Sequence, residues 1–191
     1  MHYYINDTMR RIRLRFENMQ QVKGGDNIAV ILLTDMQRMN AITVVCEEQM
    51  MLQILMRLQN PRMCSTMLPE ALLSLLPSKY EMMVFGLYQG QYQVVLMDEK
   101  GESARLRMSD AVLLMMMSDI PLYIEEKLMQ RQSTPYDETA TGIAIPINTM
   151  DEPRLKMALQ HAIDNENYEL ASLLRDEIKR RSHPSTTTTT L

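Results

Sequence analysis

Cysteine, histidine and aromatic side chains are scarce in this sequence, and each scarcity narrows what the chain can do. The two cysteines, Cys46 and Cys64, form no CxxC pair, and the three histidines, His2, His161 and His183, lie far apart. No zinc-type spacing follows from them, and nothing points to a disulfide scaffold, so a reducing compartment is the default. There is no Trp and only two Phe among 191 residues. Excess positive charge is also missing. The formal net charge is -4, whereas a protein that coats nucleic acid is usually basic; any nucleic-acid contact must therefore be local. The opening stretch MHYYINDTMRRIRL has no apolar h-region, and no apolar run approaches the ~20 residues of a membrane span. A cytoplasmic protein with no membrane partner is the expectation.

Methionine is abundant, with 20 in the chain, including Met50-Met51, Met82-Met83 and Met115-Met116-Met117. Its soft, unbranched side chain commonly fills irregular core space, and less often lines an adaptable binding groove. A copper site would need an accompanying Met/His cluster, and the runs have none.

The length suits one ordinary domain plus an appendage. Within residues 10–19, Ile12, Leu14 and Phe16 alternate with Arg11, Arg13 and Arg15, the period of a half-buried strand. A turn signal at Gly24-Gly25-Asp26-Asn27 follows, then apolar strand-like runs at 28–33 and 41–46. From Glu47 to Leu58 the spacing turns helical, with Met51, Leu52, Leu55 and Leu58 as the expected apolar face, and Asn60-Pro61 stops it. A short helix at about 69–76 leads to strands at 80–88, 91–97 and 102–108 and a helix from Ser109-Asp110 to about Met117. The order β-β-β-α thus occurs twice. An extended piece at 120–124 and a short helix at 125–130 follow. Residues 131–153 read as a linker in which 142–147 (GIAIPI) is apolar enough to dock, and the threonine-rich 185–191 as a disordered tail.

Arg107, Ser109, Asp110, Ala111, Ile120 and Pro121 lie in the stretch RMSDAVLLMMMSDIPLYI. It resembles the signature of the bifunctional nuclease (BFN) family, and a weaker similarity extends over residues 10–130. The resemblance implies an α+β fold of two β-β-β-α units and a nuclease acting on DNA or RNA. The chain departs from the family where an Arg-Pro-x-Thr-His-Asp stretch is expected: Arg62 is kept, but Thr66 and Met67 replace the His and Asp. Met50 stands for the usual helix Glu, and Arg105 for an acidic residue.

Residues 155–181 read LKMALQHAIDNENYELASLLRDEIKRR. Through Leu159, Ala162, Tyr168, Glu169, Ala171, Leu174, Arg175, Asp176 and Ile178 they resemble the UVR motif of the UvrB and UvrC excision-repair proteins. That resemblance implies two antiparallel helices over 154–181 in a bacterial protein, followed by a disordered 182–191. The residues agree: Leu155, Ala158, Leu159, Ala162 and Ile163 make one helical stripe, and Asn165-Glu166-Asn167 is the expected turn.

Metal-dependent phosphodiester hydrolysis needs carboxylates converging on Mg²⁺ or Mn²⁺. The candidates are Glu47 or Glu48 together with Asp110, each at the third-strand-to-helix junction of its repeat, with Arg107 to hold a phosphate and Ser109 beside it. The commoner roles compete: Ser109 is a natural N-cap, Asp110 or Glu48 suits a helix dipole, and Arg107 can pair with a carboxylate. Arg11, Arg13, Arg15 and Arg62 are the candidate nucleic-acid contacts, although a solvated strand face is the more frequent use of such arginines. Tyr168, Glu169, Arg175 and Asp176 are the candidate partner surface; Arg175 and Asp176, being adjacent, are expected to point apart. Two readings stand. One is a metal-assisted nuclease with a recruiting hairpin. The other is a catalytically inactive interaction or scaffold protein that assembles through both parts. A homodimer or higher homo-oligomer is expected in either case.

Overall fold

The computed structural model describes residues 10–21, 28–75, 79–139, 150–164 and 166–182. The turn expected at 24–27, the segment 142–147 and the 185–191 tail lie outside the described residues. The chain divides into two compact units, a sheet with its helices, and a C-terminal helical pair grouped with residues Tyr88–Gln91.

The alternating run builds β1 (Arg11–Gln21), with Leu14 buried and Arg11 and Arg13 exposed. Phe16 pairs with Leu33 but Asn18 with Leu32, so Glu17 is an extra, bulged residue. Buried β-branched runs make β2 (Ile28–Asp35) and β3 (Asn40–Glu47), which pair antiparallel through Ile31↔Val44 and their neighbours. The helix α1 (Glu48–Gln59) follows at once. Pro61 ends α1 and opens α2 (Pro61–Cys64), where its missing N–H would be unpaired anyway. Next comes α3 (Leu68–Leu75).

The second repeat is β4 (Tyr80–Tyr88), β5 (Gln91–Asp98), β6 (Ser103–Leu106) and α4 (Met108–Met117). Gln89 (φ 49°) and Gly90 (φ 79°) are both left-handed. That two-residue turn matches strand twist, and glycine adopts it without a Cβ clash. β7 (Leu122–Glu125), α5 (Glu126–Gln132) and β8 (Thr134–Pro135) complete the unit.

The strand order is β6-β5-β4-β7-β1-β2-β3-β8. β7 runs parallel to β4 and antiparallel to β1. The two meanders therefore spread outward from β7 in opposite senses, as two β-β-β-α units of an α+β fold. α1 packs beside α4, and both contact β3. One core gathers Leu14, Ile31, Val44, Ile54, Val84, Val94, Val112 and Ile124 from both repeats. By the period of two, Met83, Val95 and Met97 point to the opposite face and form a smaller cluster with Phe85 and Tyr123. Much of the methionine is core filler: Met51, Met82, Met83, Met97, Met108 and Met129 are all buried.

Three expectations need correcting. The buried face of α1 is Met51, Ile54 and Arg57, while Leu52 and Leu58 are about half exposed. Two stripes satisfied the helical spacing, and the one facing the sheet won. Ser109 is not the N-cap of α4; Arg107 holds that place, and its carbonyl accepts from the Ala111 N–H. The stretch read as a linker opens with the last two residues of α5 and then β8, whose Thr134 and Pro135 pair with Ala41 and Asn40 on the edge of β3.

In the second unit, α6 (Glu152–Asp164) and α7 (Tyr168–Ser182) form an antiparallel hairpin. Leu155, Ala162, Ala171 and Leu174 are its buried centre, with Ala158, Leu159 and Ile178 packed against it. Ile163 lies at the margin of the stripe and is 46% exposed, because one facing helix covers only a narrow sector of its neighbour. Glu166 (φ 56°) ends α6. The Asn167 N–H donates to the Ala162 carbonyl and the Glu166 N–H to that of Ile163, the two bonds of a Schellman cap.

Candidate functional site

The strand-to-helix junctions put Glu47 and Glu48 at the start of α1, and Arg107 and Asp110 at the start of α4. Neither cap carries a side-chain hydrogen bond, so the acidic residues serve the helix N-termini by charge alone. Arg107 grips Asp110 with two bonds, Nε to Oδ2 at 2.7 Å and Nη2 to Oδ1 at 3.0 Å. These hydrogen bonds, then the Asp110 charge, push the Arg107 guanidinium up, and Glu47 adds to the effect. Glu47 is thus near enough for its charge to act on Arg107, and the two junctions come together across the α1–α4 contact. Ser109 sits on the second residue of α4. Glu48 accepts from Gln21 Nε2 at 3.2 Å.

A Mg²⁺ or Mn²⁺ ion at Asp110 would compete with the Arg107 guanidinium, which takes both carboxylate oxygens, and would need further oxygen ligands beyond Asp110 and Glu48. No group of three or more His, Cys, Asp or Glu residues that could hold a metal occurs among the described residues.

The arginines of β1 are largely committed. Arg11 Nη1 bonds Glu81 Oε1 at 2.6 Å and stacks over Tyr123 at 4.4 Å. Arg15 Nε lies 2.9 Å from Glu17. Arg13 and Arg62 are exposed. The row is therefore not the uninterrupted basic face that alternation implied.

Two buried polar clusters escaped the sequence reading. Glu17, with a 5% exposed side chain, accepts from Thr34 Oγ1 at 2.7 Å and from Arg38 Nη2 at 2.8 Å. Burial alone would raise its carboxyl, but hydrogen bonds from Thr34 and Arg38, with the charges of Arg15 and Arg38, hold it below the usual value. Arg38 also reaches Glu138 and Tyr136 just beyond β8, fastening that segment to the sheet edge. The second cluster is Arg57, which bonds Glu70 at 2.7 and 3.1 Å and Gln53 Oε1 at 2.8 Å. Its one sequence signal was an arginine continuing the Met51–Ile54 spacing.

On the hairpin, Tyr168 is 68% exposed, and Met157 and Leu173 also face outward. Arg175 and Asp176 are exposed but not independent. Arg175 Nη2 lies 3.2 Å from Asp176 Oδ1 and 3.1 Å from Ser172 Oγ. The expectation that adjacent residues could not pair fails because the long arginine arm bends back around the helix. The side chain of Glu169 lies outside the described residues. Arg180 and Arg181 both bond Glu177 at 2.7 Å, which holds that carboxyl low, and Arg181 also donates to the Met150 carbonyl.

The molecule is thus of a mixed class, an α+β sheet unit with a separately cored helical hairpin. The model of the UvrB/uvrC motif matches residues 154–180, the hairpin itself. No curated protein matches the chain. No helix among the described residues is long and apolar enough to cross a membrane.

Proposed function

We propose that this chain is an interaction protein whose α6–α7 hairpin recruits a protein partner, with the α+β unit as the scaffold that carries it. One observation carries the reading: the segment matching the UvrB/uvrC motif closes its own small core and leaves Tyr168, Met157 and Leu173 in solvent. Those side chains contribute nothing to the hairpin core, and Tyr is a favoured interface residue. Affinity capture with the full chain, compared with Tyr168→Ala combined with Leu173→Glu, tests it. At least one protein should be enriched by the first and lost, about tenfold or more, from the second. Identical captured sets with both proteins overturn the reading.

A second reading, a BFN-type nuclease acting on DNA or RNA, draws on the meeting of the two strand-to-helix junctions. In it, Arg107, Ser109, Asp110 and Glu48 would line the substrate site. Hydrolysis of single-stranded and duplex substrates in Mg²⁺ and Mn²⁺ tests it. It requires a metal-dependent rate that collapses in Asp110→Asn, and it fails if the rate is absent or unchanged in that variant.

A further inference from the structure

We draw no further inference here: the strongest candidate, the cavity of about 560 Å³ between the start of β4, the end of β5 and the approach to β7, owes its charged wall to the acidic cluster Glu81, Asp98, Glu99 and Asp119, and no second observation in the structure points to a ligand for it.

Discussion

Glu17 occupies the exposed face of β1 by simple alternation, yet its side chain is 5% exposed and ringed by Thr34, Arg15 and Arg38. Nothing local announces this. Arg38 is a turn residue with φ 58°, and the Arg38–Tyr136 contact joins residues 98 positions apart. The period-two pattern of β1 was legible because it depends only on neighbours. The bulge and the buried carboxylate were not, because they depend on partners brought in by the fold. The consequence is pH-dependent stability. A carboxylate whose folded pKa is depressed stabilises above its unfolded value of ~4.3, and that contribution disappears as pH falls through the folded value. Glu17→Gln keeps the shape and removes the charge. At pH 7 it should lose on the order of 2 kcal/mol in urea unfolding, and at pH ~3 the gap from wild type should shrink. An equal gap at both pH values would show that the charge of Glu17 is not what stabilises.

The boundaries of the helices expected from sequence were readable to within a residue or two, because Pro61 and the strand-to-helix changes of period mark them, but the single turn of α2 was not expected. Helix faces were less legible. α1 carries enough apolar side chains for more than one stripe, and only the sheet beneath decides that Ile54, not Leu52, is buried. Arg57 shows the limit: a charged residue on the core side of a helix reads as a flaw until Glu70 arrives from α3. That pair is the described ion pair tying α3 to α1. Glu70→Ala would leave a 6% exposed guanidinium without its carboxylate, at a cost on the order of 3 kcal/mol. Amide hydrogen exchange should then quicken across α3 while β2 and β3 stay protected. Unchanged protection of α3 would mean that other contacts hold it. At the candidate site, Asp110 and Arg107 were found in sequence, but their mutual grip was visible only once α4 was drawn as a helix starting at Met108.

At the scale of the molecule, the core that unites both β-β-β-α units draws on Leu14 through Met129, and the hairpin centre on Leu155 through Leu174. Among the described residues, none belongs to both. The larger cluster draws buried side chains from every element of the sheet unit except the exposed α3 and the short α2, β6 and β8, the kind of shared burial that drives cooperative folding. Among the described residues the hairpin centre holds four buried side chains, and two helices of 13 and 15 residues are near the length at which isolated helices are marginal in water. Stability should therefore be asymmetric. A chain ending before Asp151 should keep the sheet's circular dichroism and melt cooperatively within a few degrees of the full protein. Leu174→Ala in the full chain should lose helical signal from α6 and α7 alone, since a buried Leu→Ala costs ~2–5 kcal/mol and so small a core has little reserve. If the shortened chain instead loses dispersed amide resonances in β1, β2 and β3, the hairpin is a structural part of the sheet unit, and its recruiting role would have to be rebuilt on different residues.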